Sequence, residues 1–416
     1  MNSKGEKMNS KGEKMNSKGE IIMKKLKKCL SLCLVILTII LSVVSVGATI
    51  SKKSDPTKNY SSSILYAGGK YILANESGIF VTTSPTSKWK KITSKYRGDG
   101  KLFISDGKTI YFATTSPGDP SQYRYSIYSI KTSGKGLKKI KSGKGPVELI
   151  ACYNGNLYYG TAPVGSLYCT KMMKINLKSK KVKCVSGNHP AGVYSYLNGR
   201  IYFSELLVTV SEETRRTVYC LNLKTGKIKK VLNLCSAHNM SKSTNSIAIL
   251  SNKYGSSAGT TNNYIYTINS KHKITRSKKL PNNACLEFIS KDNKYAYYRI
   301  INSSRTGSTY YRFNLKTGKK EKIKGTGGRL AFDIIGDCKS SGIYFIANDS
   351  IESYTNKIRV YKLSGTKLIS QKIGNNKYKI LRTVSINGRW THGNYWARGN
   401  TLITTEKGII KTYKLS

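Results

Sequence analysis

The chain has 416 residues, 38% of them hydrophobic and 10% aromatic, with 72 Lys and Arg against 20 Asp and Glu for a net charge of +52. That length supports a large core, either in one repeat-built domain or in two ordinary ones, while the few carboxylates leave thin material for glycosidase-type acid pairs. A surface this basic attracts polyanions.

Residues 1–22 begin MNSKGEK, MNSKGEK, MNSKGE, a polar heptad in three copies that cannot build a core and reads as a disordered extension or an over-extended start. From Met23 the text changes to a lysine block (Lys24, Lys25, Lys27, Lys28), an apolar run from Cys29 to Val46, and Gly47-Ala48. This is the pattern of a secretory signal peptide over 23–48, with Val46 and Ala48 as the small residues read by the peptidase and cleavage between Ala48 and Thr49. The alternative is an uncleaved anchor, since the largely apolar run of 18 residues just reaches spanning length. Removing residues 1–48 leaves 368 residues and a net charge of +46, because nine lysines and three glutamates go with them.

Residues 49–61 read as a strand or linker, and a repeat of about 46 residues starts at Ser62. Its third strand is clearest in CLNLKTGK (Cys220 to Lys227) and RFNLKTGK (Arg312 to Lys319), with looser copies at Ile127, Lys174, Tyr266 and Val360. With Asn222 as anchor, equivalents fall at Val81, Ser129, Asn176, Asn269, Asn314, Lys362 and Lys414, making eight copies. Second strands read IYF or LYY, and Asp106-Gly107, Asn154-Gly155 and Asn198-Gly199 precede three of them as two-residue hairpin turns. The Thr-Gly pairs after NLK are expected to close the third-to-fourth hairpin in the same way. Fourth strands such as LKKI (Leu137 to Ile140) and IKKV (Ile228 to Val231) carry lysines suited to an exposed sheet edge.

About four strands per unit at this period, with no sustained helical periodicity, predict an all-β fold over 62–416: a single β-propeller of four-stranded antiparallel blades, eight by the repeat count or seven as the alternative. Two registers compete for closure. In one, Thr49 to Lys53 seals the last blade as its fourth strand; in the other, Asn387-Gly388 is the last blade's first turn and Arg389 to Trp396 its second strand.

The repeated unit resembles the secreted propeller repeats of Gram-positive bacteria, a family of unknown function distantly similar to YWTD (low-density-lipoprotein-receptor-like) propellers. The resemblance spans Ser62 to Ser416, although no copy holds an intact YWTD tetrad. It implies an extracytoplasmic binding or scaffold module and brings no catalytic residues with it.

Seven cysteines (Cys152, Cys169, Cys184, Cys220, Cys235, Cys285, Cys338) follow the leader without CxxC spacing, and the four histidines stand far from them in sequence, so no metal site is read here. The cysteines read as small buried apolar residues, with one or two disulfides as the alternative in an exported chain. No P-loop, EF-hand, GxSxG or HExxH occurs, and no catalytic residue or cofactor is assigned. Glu205, Glu212 and Glu213 form the one local acidic cluster; they read as a solvated loop beside Arg215 and Arg216, and Asp333 and Asp337 as turn residues.

Binding is expected on the variable loops between second and third strands, which carry Arg124, Arg215, Arg216 and Arg305. A second candidate is the platform Trp390, His392, Trp396 and Arg398, which reads either as an aromatic and cationic surface or as a plug where the ring meets. The partners expected are an anionic wall polymer, a polysaccharide or a surface protein. Nucleic acid is not expected, because export removes it and the lysines follow the repeat instead of one face. The chain is read as a monomeric secreted or cell-surface binding propeller, touching membrane only through the leader or anchor. The alternative is a propeller enzyme acting on an extracellular or wall polysaccharide.

Overall fold

The computed structural model describes residues 63–75, 77–96, 103–116, 123–166, 169–189, 191–204, 216–234, 237–242, 246–251, 264–281, 284–290, 292–301, 308–324, 332–334, 344–348, 357–371, 373, 379–380, 384–386, 389–391, 394–398, 401–406 and 409–415. The leader, its cleavage site and residues 49–61 lie outside the described residues.

The alternating and aromatic segments form antiparallel strands that pair with their neighbours in chain order. Seven sheets of four consecutive strands follow one another, over residues 63–93, 103–144, 147–184, 193–234, 237–276, 284–322 and 332–371, and Lys379–Ile380 extends the seventh. A two-stranded hairpin (Val384–Ile386 with Arg389–Thr391) and a three-stranded sheet (Asn394–Arg398, Thr401–Glu406, Ile409–Lys414) follow.

Burial explains how these sheets assemble. The second strands are covered on both faces: Ile110 to Ala113, Leu157 to Tyr159, Ile201 to Phe203 and Ala296 to Tyr298 are all buried. A sheet apolar on both faces must be sandwiched, and with no helix among the described residues the covering layers are the neighbouring sheets. The core clusters sit at those junctions. One joins Ile72, Phe112 and Tyr159 of the first three sheets; others join Tyr158 to Phe203, Tyr202 to Ile249, and Ile265 to Tyr298. First strands of successive sheets lie side by side from the first sheet to the sixth, while the fourth strands are mostly exposed. Sheets stacked face to face, with first strands inside and fourth strands outside, are the blades of a β-propeller.

The last sheet has three strands among the described residues, and Ile373 makes an antiparallel bridge to Leu415 at the end of its third strand. Of the rival register, Ile386 is opposite Arg389 across residues 387–388, as it expects, but Arg389–Thr391 and Asn394–Arg398 belong to different sheets instead of one second strand. Blade number and sealing by Thr49 to Lys53 are expectations of the repeat count, since those residues are outside the described set.

Turn chemistry is where the sequence reading needs correction. Asn154-Gly155 and Asn198-Gly199 are two-residue turns with positive φ at both positions (46° and 67°, 43° and 74°), as expected. Asp106-Gly107 is not the central pair. Ser105 is opposite Ile110 and the Asp106 amide donates to the Thr109 carbonyl, so Gly107-Lys108 forms the turn. The cause is the Asp106 carboxylate, which accepts the amides of Lys108 and Thr109 at 2.9 and 2.7 Å. The NLKTGK turn is likewise longer than two residues: Leu221 is opposite Ile228, and the Asn222 amide donates to the Lys227 carbonyl, with Leu223 to Gly226 between. In the second sheet the anchor is Lys131, not Ser129, because Lys131 and Thr132 make the bonds to Lys135 and Lys108 that Asn176 and Leu177 make to Lys181 and Gly155.

The anchor asparagine shapes that turn. Asn222 Oδ1 accepts the amides of Lys224 and Thr225; Asn176 and Asn314 do the same for Lys178 and Ser179, and for Lys316 and Thr317. The turn ends on a left-handed residue whose amide returns to the asparagine carbonyl at 2.8 Å: Gly226, Gly318 and, without the freedom of glycine, Lys180 at φ 61°.

Neighbouring blades are also tied at these turns. Lys70 Nζ donates to Thr132 Oγ1 at 3.2 Å and Asn198 Nδ2 to the Ser270 carbonyl at 3.2 Å. Arg312 stacks on Tyr295 (4.6 Å), donates to Glu321 at 2.7 and 3.0 Å, and reaches the Gly365 carbonyl at 3.2 Å. Beside it, Lys324 makes a parallel bridge to Lys367, with backbone bonds of 2.7 and 3.0 Å to Thr366 and Leu368, so the sixth and seventh blades share hydrogen bonds at their outer edges.

Two substitutions test the turn. Asn222→Ala removes the acceptor of two amides and is expected to cost about 1 kcal/mol, read as a lower urea midpoint at unchanged slope. Lys180→Gly relieves a left-handed side chain and is expected to gain about 0.5–1 kcal/mol in the same measurement.

Candidate functional site

Up-and-down strand order gives every blade two distinct ends. First-to-second and third-to-fourth turns fall at one end; second-to-third loops and the links between blades fall at the other. The two ends carry different chemistry.

At the loop end, Arg124 opens the third strand of the second blade, is exposed, and has its amide bonded to Ser116 Oγ at 2.9 Å, closing the loop base. Arg216 opens the equivalent strand of the fourth blade. The backbone therefore brings these two to the same end. Arg215, Arg305 and His392, and the glutamate cluster at 205, 212 and 213, lie outside the described residues.

The tryptophan platform is divided. Trp390 is in the hairpin opposite Ser385, and Trp396 is in the three-stranded sheet opposite Ile403. Arg398 is opposite Thr401 beside the first turn of its sheet, away from the end that carries second-to-third loops. The segment read as one cluster thus spans two sheets.

Two groupings at the loop end were not legible in sequence. Arg276, exposed at the end of a fourth strand, stacks over Tyr264 at 5.0 Å, a cation and ring brought together by strand pairing across a hairpin. Glu148 and Tyr194 are second residues of first strands in adjacent blades. The Tyr194 hydroxyl donates to the Ala191 carbonyl, and burial, aided by Cys169 and Glu148, holds its pKa far above the ordinary phenol value. Tyr194 is thus a neutral donor and not a base. Acid-pair hydrolysis needs two carboxylates about 5–10 Å apart. Glu287 and Asp333 also sit on first strands, and Glu148 is the one of the three whose side chain is described.

Among the described residues no three His, Cys, Asp or Glu side chains approach closely enough to hold a metal. Cys152, Cys169, Cys184 and Cys220 are free thiols, Cys169 and Cys220 buried. Burial raises the Cys152 and Cys220 pKa values, which makes them poor nucleophiles. Cys235 and Cys338 are outside the described set.

The turn end is lysine-rich. Lys178, Lys224, Lys271 and Lys316 are all exposed, and each is the second residue after an anchor asparagine whose Oδ1 accepts its amide at 3.0 Å. The expectation was that the lysines follow the repeat instead of one face; these four follow the repeat and share one end, while others lie on outer strands. A repeat in sequence becomes a single end in space when every blade runs its strands in the same order.

No protein-family model matches the chain, and no curated protein matches it. Similar solved structures are β-propeller proteins. A prolyl endopeptidase structure superposes with TM-score 0.52 at 12% identity, covering 83% of this chain and 54% of the other, so this chain spans about half the length of that enzyme. An oligogalacturonate lyase from Vibrio parahaemolyticus (TM-score 0.41, 8% identity, 61% and 74% coverage) and TolB from Acinetobacter baumannii (0.34, 12%, 74% and 80%) are also similar. At these identities the likeness is one of fold.

A pH test follows from the seam between the fourth and fifth blades, where the Tyr202 hydroxyl and His272 Nδ1 are hydrogen-bonded at 3.0 Å. Burial, then Arg200 and Lys229, lower the His272 pKa from 6.5, so the unfolded chain takes the proton first and the seam's stability falls as pH drops through 6.5. His272→Asn, which tolerates the left-handed backbone, is expected to flatten the fall in Tm between about pH 7.5 and 5.5.

Proposed function

We propose that the protein is a noncatalytic extracytoplasmic binding or scaffold propeller, exported by its leader and held on the anionic polymers of a cell wall. The observation that carries this reading is the distribution of exposed lysine. Lys138, Lys139, Lys141 and Lys144 of the second blade, Lys229 and Lys230 of the fourth, and Lys320 and Lys322 of the sixth are all exposed on outer strands. Glu321 is the acid that answers them in the sixth blade, held below the usual carboxylate range by Arg312 and engaged by Arg312 and Lys319.

Lysine on an outer strand blocks edge pairing with other chains, and the same cations attract a polymer of opposite charge. The leader gives the compartment, secreted or cell-surface, with membrane contact confined to residues 23–48. The protein acts as a monomer, and nucleic acid is not its partner.

Retention on purified walls across a salt series tests the proposal. Lysine-borne binding is screened over about 8 Å at physiological ionic strength and is expected to fade within a few hundred millimolar salt. Binding that survives salt and falls in Arg215→Ala with Arg216→Ala, or in Trp390→Ala with Trp396→Ala, would replace this reading with a loop site. No retention at low salt would remove the polyanion from the proposal altogether.

A further inference from the structure

We infer that the wall-polymer contact is made by one arc of turns, the third-to-fourth turns of the third to sixth blades, acting as a multivalent rail for a linear poly(phosphodiester). The inference rests on the proposed function and specifies where and how the polymer is held.

Each of these four turns begins with an anchor asparagine, and in each the second residue after it is a lysine: Lys178, Lys224, Lys271 and Lys316. The asparagine Oδ1 accepts that lysine's amide at 3.0 Å in all four. The hydrogen bond that shapes the turn therefore also fixes the lysine backbone at an equivalent place in four consecutive blades. A second lysine closes each turn: Lys181, Lys227, Lys273 and Lys319, its amide bonded to Ser179, Thr225, Asn269 or Thr317 at 2.9–3.4 Å. All eight are exposed. Among the described residues one acid meets them, Glu321, at 3.6 Å from Lys319.

The arrangement stops at both sides of the arc. The second blade has Ser133 two places after its anchor Lys131; in the seventh, Phe345 is opposite Tyr361 as Phe203 is opposite Tyr219, so the place of Asn222 falls to Ser364 instead of Lys362 and Thr366 stands two places after it. The fixed lysines thus form a contiguous row over four blades at one end of the propeller.

The row presents separate cations, one pair per blade, spread over four blades instead of gathered at one point. It fits a flexible chain with a charge on every unit, which can engage neighbouring blades in turn, so that each engaged phosphate raises the effective concentration of the next. A polymer lying along the turn end leaves the variable loops at the opposite end free of it.

The test compares two variants of equal charge in the full chain. One replaces Lys178, Lys224, Lys271 and Lys316 by serine, which keeps every backbone bond to asparagine. The other replaces the outer-strand residues Lys139, Lys141, Lys230 and Lys322 by serine. Binding of poly(glycerol phosphate) chains of about 6 and about 30 units is measured across a salt series. The turn variant is expected to lose about a hundredfold for the long chain at low salt and to lower the slope of log K against log salt by about 3, at roughly 0.7 per lost contact. The outer-strand variant is expected to lose less than about a third of that slope, and the short chain to bind far more weakly than the long one. Equal losses in the two variants, or equal affinity for both lengths per unit, overturn the rail while leaving wall retention standing. If wild type is not retained on walls at low salt, the proposed function fails, and the rail fails with it.

Discussion

The structure depends on sheets that are apolar on both faces. Second strands such as Ile110 to Ala113 and Ile201 to Phe203 expose nothing, so each sheet must lie between two others, and the chain meets that demand by stacking sheets in the order it makes them. Burying a Phe or Tyr of this kind is worth about 1.5–3 kcal/mol, and each blade junction gathers several. First strands are thereby drawn inward and fourth strands outward, and every turn of one kind falls at the same end. Exposed lysines accordingly collect on the outer strands and at the turn end.

The turns show how one residue serves shape and charge placement together. Asparagine at the anchor bonds two amides ahead of it, which sets a four-residue loop where a Thr-Gly pair alone implies a shorter one. The same contact orients the lysine that follows. Where the anchor is Lys131 or Ser364, the loop closes by other means and no lysine stands two places after it.

Much of this was legible in sequence because a repeat amplifies weak signals: second strands, third strands and lysine edges fall where the IYF, NLK and KKI segments put them. Turn lengths were not, since they depend on whether a side chain such as Asp106 or Asn222 takes the backbone amides, which composition does not reveal. The Trp390 to Arg398 cluster misled for a related reason, because closeness in sequence does not guarantee a shared sheet, and Trp390 and Trp396 belong to different ones. Pairs such as Arg276 with Tyr264 were invisible because a hairpin, not a spacing, joins them. The second-to-third loops, where variability placed the binding arginines, yielded backbone positions for Arg124 and Arg216 alone.

The outer-edge bridge between Lys324 and Lys367 has a mechanical consequence. At other junctions among the described residues, such as Lys70 with Thr132 and Asn198 with Ser270, neighbouring blades are tied by single side-chain bonds, which separate one at a time when the chain is pulled. Here backbone bonds to Thr366 and Leu368, with the Arg312 contact to Gly365 beside them, cross from the sixth blade to the seventh. Load applied along the chain must break these together before either blade peels, so the two yield as one unit, and tension is borne by that pair ahead of its neighbours.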